Sequence, residues 1–157
     1  PKAEILPAKY TGSWDDQTKG KDLAALLYQQ GADVVYAAAG RAGLGTIKAA
    51  KDAGKWVIGV DSDQDDLEKG AVLTSMIKRV DEAVYSTIKD VKEGKYSSGD
   101  VIYDLKVNGV GTSDFRNTKA LIGDAGLAKI EEAKTKIIAG EIKVPATKAE
   151  YDAMAAK

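Results

Sequence analysis

The stretch VVYAAAGRAGLG, Val34 to Gly45, decides how the rest of the chain is read. Two valines and a tyrosine run into small residues, and Gly40, Gly43 and Gly45 then fall close together. Such a run reads as a buried strand whose carboxyl end enters a tight turn that opens a helix, the place where open α/β folds bind ligands. The backbone there approaches a dinucleotide, a phosphate, some other small molecule, or nothing beyond its own packing partners. The spacing G-x-x-G-x-G is not the dinucleotide fingerprint G-x-G-x-x-G, and the turn follows the second strand of the series instead of the first. Asp61 does end the next strand, about 20 residues on, where a ribose-binding acid belongs. A P-loop is excluded, because no Gly-Lys-Ser/Thr follows.

Working outward, strand-length apolar runs alternate with helix-period segments, which is the signature of βαβ units around a mostly parallel sheet. AEILPAKY (3–10) reads as a first strand, confined to an edge or a bulge by Pro7. DQTKGKDLAALLYQQG follows as a helix with Leu23, Leu26, Leu27 and Gln30 at helical spacing and Gly31 as its stop. ADVVYAAA is strand two, and AGLGTIKAAKDAG is a helix closed by Gly54. WVIGV is strand three, AVLTSMIK strand four, VDEAVYSTIKDVKEG a third helix and GDVIYDLKV strand five. The pattern predicts an α/β fold with a five-stranded, mostly parallel sheet over residues 1–110. Residues 111–157 form a looser tail with a helix at LAKIEEAKTKIIAG.

Composition restricts the function. A chain of 157 residues with 44% hydrophobic and 30% charged content is long and apolar enough for one globular core. Twenty-three basic against twenty-four acidic residues provide no field for a polyanion, so no nucleic-acid partner is expected. No apolar run approaches the roughly 20 residues that span a bilayer. The start Pro1-Lys2-Ala3-Glu4 carries neither an initiator Met nor a signal peptide and reads as the end of a processed or excised segment. The absence of Cys and His removes thiolate chemistry and the commonest general base and metal ligand. Catalysis would fall to carboxylates, Lys, Tyr or Ser. No cofactor fingerprint is complete, so none is expected.

In a parallel sheet the carboxyl ends of the strands face one edge, and the residues there are distinctive. Trp14, Tyr36, Gly40, Asp61, Asp81 and Lys106 all fall at or just beyond those ends and converge on one crevice if the topology holds. DSDQDD invites a calcium reading, yet an EF-hand loop starting at Asp61 needs Gly and Glu where the chain has Asp66 and Val72. Asp63, Asp65 and Asp66 are expected as a solvated acidic loop, whereas Asp61 directly follows a buried strand. Asp61 and Asp81 as a glycosidase pair have no support from spacing; as acceptors for vicinal sugar hydroxyls they need fewer assumptions. Trp14 and Tyr36 serve either as core aromatics or as faces that stack on a flat ring.

Taken together, YTGSWDDQTKGKDLA, QGADVVYAAAGRAGLG, WVIGVDSDQ, VLTSMIKRVDEAVY and GEIKVP resemble the basic membrane protein family of surface lipoproteins, the substrate-binding subunits of nucleoside ABC transporters. The resemblance runs from about Ile5 to Pro145. It implies a three-layer lobe of the type I periplasmic-binding-protein kind, with flavodoxin-like strand order, that closes on a purine nucleoside without catalysis. It further implies that Tyr36 stacks on the base and that Asp81 and Lys106 hold the ribose, with the Gly40 turn and Asp61 beside them; Trp14 joins the set as a further aromatic. A full family member also has a lipidated N-terminus, an N-terminal lobe and an ABC permease partner. This chain then corresponds to the C-terminal lobe, with the tail either part of it or returning to the missing lobe. A lone lobe leaves its cleft face bare, which leads to an expected homodimer with the tail from about Gly111 exchanged between copies. The competing readings are an isolated half-domain with no tight ligand and, from a different class, a carboxylate-based enzyme on a flavodoxin-like scaffold.

Overall fold

The computed structural model describes residues 3–155. Pro1 and Lys2, on which the reading of a processed start partly rests, lie outside the described residues, as do Ala156 and Lys157. The chain divides into two compact units, one up to Leu121 and one from Ile122.

The first unit holds a four-stranded sheet in the order β1-β2-β3-β4. These strands are β1 (Val34–Tyr36), β2 (Trp56–Asp61), β3 (Val72–Lys78) and β4 (Val110–Thr112). The first three are parallel, paired through Val35↔Val57 and Ile58↔Thr74, with a register shift between Val57 and Ile58. β4 runs antiparallel to β3, with Ile77 opposite Gly111. The expected α/β class with a mostly parallel sheet is what the chain adopts.

Helix α1 (Gln17–Gln29) starts where the Asp16 carboxylate accepts the Lys19 N–H at 3.0 Å, satisfying one of the orphan donors of the first turn. A 3-10 turn (Gly40–Ala42) leads into α2 (Gly43–Ala53), which stops at Gly54 in the left-handed region. α1 and α2 pack on each other and on one face of the sheet. Ala24 and Tyr28 meet Ile47, Ala49 and Ala50 above Val57 and Val72, and the Tyr28 hydroxyl donates to the Trp56 carbonyl at 2.8 Å. The buried stripe of α1 is Gly20, Ala24 and Tyr28, whereas Leu26 of the expected leucine stripe is exposed. The reason is the closeness of the two helices. A Cβ on Gly20 would sit 2.0 Å from the Ala42 carbonyl oxygen, and one on Gly45 would sit 1.9 Å from that of Gln17. The helices therefore touch backbone to backbone, and small residues occupy the seam.

Two expected strands are corrected. Residues 3–10 form no strand: Ile5 and Tyr10 are exposed, and β1 pairs directly with β2. A flavodoxin-like order would have set the first strand between them. Pro7 contributes no N–H, and a strand without a neighbour has no ladder to join. The expected fifth strand over 99–107 is also absent. The Asp104 carboxylate accepts the N–H of Lys106 at 2.9 Å and of Val107 at 3.4 Å, and this turns the chain as Asp side chains do in Asx turns. Pairing resumes only at Val110. The sheet therefore has four strands instead of five, and its last is antiparallel.

Helix α3 (Val80–Lys92) follows β3 with Asp81 and Glu82 in its first turn and Lys89 and Lys92 in its last, which matches the helix dipole. Helix α4 (Lys119–Ala139) is interrupted at Gly123, whose φ of 69° and ψ of 161° break it into two pieces. Within the second unit Gly140 ends the long piece at φ 79°. A last helix, α5 (Lys148–Ala155), carries a Lys148–Asp152 ion pair at 2.6 Å.

If the glycine seam sets the α1–α2 distance, Gly45→Ala should destabilise the chain by about 2 kcal/mol or more, lowering Tm by roughly 4 to 8 °C. Gly111→Ala, at a position with open space around it, should leave Tm nearly unchanged. Thermal unfolding by circular dichroism makes the comparison; equal Tm values for the two variants would contradict the seam.

Candidate functional site

The carboxyl ends of β1, β2 and β3 lie side by side because the three strands are parallel. β1 ends in Tyr36, β2 in Asp61 and β3 in Lys78. Asp61 holds φ at 70°, a left-handed conformation that an Asp tolerates better than most residues. Its carboxylate accepts from the Lys78 ammonium at 2.7 Å. Tyr36 is 52% exposed, and its hydroxyl is pushed above the ordinary phenol value, first by desolvation and then by the negative charge of Asp61. An aromatic face, an acceptor and a cation thus stand together at the sheet edge.

The three glycines of the opening stretch are each accounted for by packing. Gly40 takes a positive φ of 55°, and a Cβ there would lie 3.1 Å from the Trp14 carbonyl oxygen and 3.5 Å from its ring. Gly43 lets the start of α2 approach the Ala37 carbonyl, where a Cβ would sit 3.1 Å away, and Gly45 belongs to the α1–α2 seam. Of the readings open at the start, close packing is the one these contacts carry. The Trp14 carbonyl also accepts the Ala42 N–H at 3.0 Å, and the residue remains 72% exposed. Trp14 is therefore a surface aromatic laid against Gly40.

Asp81 is exposed in the first turn of α3 and Lys106 is exposed in the Asp104 turn. The two segments are neighbours, since the Arg79 N–H donates to the Gly109 carbonyl at 2.9 Å. The structure thus brings Trp14 to Gly40, and Tyr36 to Asp61. Among the described residues no hydrogen bond or ion pair joins Asp81 or Lys106 to Tyr36, Asp61 or Trp14.

The acidic loop after β2 corrects the expectation of a solvated cluster. Asp65 is 1% exposed, and its Oδ1 accepts from the Ser75 hydroxyl at 3.0 Å and the Ser113 hydroxyl at 2.6 Å. The Gln64 amide oxygen accepts the Val60 N–H at 3.0 Å, and the Gln64 N–H donates to Ser75 Oγ at 2.9 Å. These bonds tie the loop to β2, β3 and the end of β4 and so hold the backbone that begins at Asp61. Asp63 and Asp66 stay at the surface, where both pair with Arg116. The Asn117 amide, donating to Asp66, holds that carboxyl below its ordinary range, with Arg116 and Lys69 assisting.

Sequence reasoning passed over Lys78 and Arg79. Lys78 is the ion-pair partner of Asp61, and Arg79 carries a buried Nε without a hydrogen-bond partner. Only strand pairing brings Lys78 beside Asp61. The open groove between α1 and α2, about 350 Å³ and lined by Tyr28, Lys21, Asp52 and Lys55, lies at the helix seam instead of at the strand ends. Its cations are already paired, Lys21 with Asp52 and Lys55 with Asp33.

Residues 1–148 match the family model for PnrA-like ABC transporter substrate-binding proteins. The chain is 40% identical over 155 residues to the ABC transporter nucleoside-binding protein BmpA of Lactococcus lactis subsp. cremoris, covering 87% of this chain and 43% of the relative. It is 35% identical to basic membrane protein D of Borreliella burgdorferi, covering 92% and 43%. Among solved structures it is similar to an ABC transporter solute-binding protein from Aeropyrum pernix K1, with 33% identity and a TM-score of 0.80, covering 92% of this chain and 49% of that one. The chain spans less than half the length of the curated relatives it matches.

The effect of the Asp61 charge on Tyr36 has a measurable signature. Asp61→Asn should bring the Tyr36 hydroxyl back toward the ordinary phenol value without reaching it, because desolvation is the larger cause. Titration of ring-labelled tyrosine by NMR, with Tyr36→Phe assigning the signal, checks this; a Tyr36 titration indifferent to Asp61→Asn would separate the two residues.

Proposed function

From the premise that the chain belongs to the PnrA-like family of ABC transporter substrate-binding proteins, we propose that it is one lobe of a nucleoside receptor, binding a purine nucleoside non-covalently at the carboxyl edge of its sheet. The observation that carries this reading is the grouping of Tyr36, Asp61 and Lys78 at the strand ends. An aromatic face stacks on a flat base, and a carboxylate accepts from vicinal ribose hydroxyls. Asp81 and Lys106, on neighbouring segments at the start of α3 and in the Asp104 turn, hold the sugar from the other side when the lobe meets its complement. Trp14 adds a second aromatic at the rim, and Gly40 is the residue against which its indole rests.

The likeness to the nucleoside-binding protein BmpA of Lactococcus lactis supports the ligand class. In this reading the whole protein works outside the cytoplasm as a lipoprotein, delivers its ligand to an ABC permease and leaves it chemically unchanged. The other half of the receptor closes the cleft, since binding pockets enclose about 70 to 90% of a small ligand. One lobe supplies a single wall. The chain alone should therefore bind in the millimolar range or weaker, the loss of several kcal/mol from a tight complex.

NMR titration of the chain with guanosine, adenosine and uridine tests this. Purine nucleosides should shift the Tyr36, Asp61 and Asp81 signals, and the nucleoside should be recovered intact. Tyr36→Ala should weaken all three ligands alike, because stacking is largely indifferent to base identity. Shifts confined to the α1–α2 groove, or release of a free base, would overturn the reading.

A further inference from the structure

Helix α3 presents its apolar side to solvent. Val80, Val84, Ile88 and Val91 are 54, 53, 62 and 59% exposed. At 3.6 residues per turn they lie within an arc of about 80°, a continuous stripe along the whole helix. The side that the sheet-bearing unit does hold is the polar one: the Ser86 hydroxyl lies 2.7 Å from that of Tyr103. No residue of α3 is buried. An amphipathic helix stands in this orientation only where something else covers the stripe.

The charges flanking the stripe select the cover. Asp81 and Lys92 fall on the same flank, one near each end of α3. Neither has an ion-pair partner among the described residues. If a second α3 lies antiparallel, with a two-fold axis at the level of Ser86, then Val84 meets Ile88, Val80 meets Val91, and Asp81 meets Lys92, each twice. Antiparallel packing also opposes the two helix dipoles favourably. A parallel two-fold arrangement would put the two Asp81 residues on opposite flanks at the same end of the seam, away from either Lys92.

We infer that the stripe is a self-association surface and that its occupant is the antiparallel α3 of a second copy of this chain. This interface differs from the expected exchange of the tail; it leaves Tyr36 and Asp61 at the strand ends open but engages Asp81, so in the dimer Asp81 pairs with Lys92 of the second copy and is withdrawn from the sugar contact proposed above.

Sedimentation equilibrium of the intact chain, from micromolar to millimolar concentration, tests it. The chain should dimerise, and Ile88→Asp should weaken the dimer about 100-fold by placing two unpaired carboxylates in the seam. Lys92→Asp should weaken it about tenfold through like charges facing Asp81. Asp81→Lys combined with Lys92→Asp should restore most of that loss, which a merely structural role for either residue would not produce. Far-ultraviolet circular dichroism of the exposed-site variants reports that each remains folded, and the charge swap serves if Ile88→Asp does not. A monomer throughout the range, or a dimer untouched by these changes, would overturn the inference.

Discussion

The fold turns on a contact with no side chain in it. Where α1 crosses the start of α2, Gly20 faces the Ala42 carbonyl and Gly45 faces that of Gln17, at separations that leave no room for a methyl group. Much else follows from that closeness. It brings the loop before α1 near enough for the Trp14 carbonyl to take the Ala42 N–H. It fixes α2 over Val57 and Val72, on the sheet whose parallel strands β1 and β2 carry Tyr36 and Asp61 to the same edge. Gly43 and Gly45, within the stretch that invites a reading of ligand contact, set the distance between the elements around them.

What the sequence made legible and what it did not divide along a physical line. α1, α2, α3 and the strands β2 and β3 were readable because their signals are local: a cap at Asp16, a stop at Gly54, and apolar runs of the right length. The first expected strand failed because a strand is a property of pairs, and Ile5 to Tyr10 has no neighbour to complete it. The fifth failed because Asp104 competes for the backbone N–H groups that a ladder would need. The leucine stripe of α1 misled because hydrophobicity does not report how near two backbones come.

The strand-end positions of Tyr36 and Asp61 follow from periodicity and topology, so they were accessible without coordinates. The Lys78 contact was not, because it depends on the register Asp61↔Ile77 across two strands. Asp65 is the sharper case. Its composition context, four aspartates within six residues, argues for solvent. Its burial comes from two serines that approach only in the folded chain, Ser75 and Ser113. Within DSDQDD, neighbouring aspartates thus have opposite surroundings, and only tertiary contacts tell them apart.

The Asp65–Ser113 bond spans 48 positions of sequence, and this has a kinetic consequence. The parallel unit of β1, β2 and β3 can form with its acidic loop still hydrated, because every pairing it needs lies earlier in the chain. Burial of Asp65 must await the arrival of β4, when Ser113 reaches the carboxylate and its N–H donates to the Ser75 carbonyl at 2.9 Å. Non-local closure of this kind is slow compared with helix formation. The short antiparallel strand therefore acts as the last latch of the sheet, and during synthesis the Asp61 edge stays unfinished until the chain has grown past Ser113.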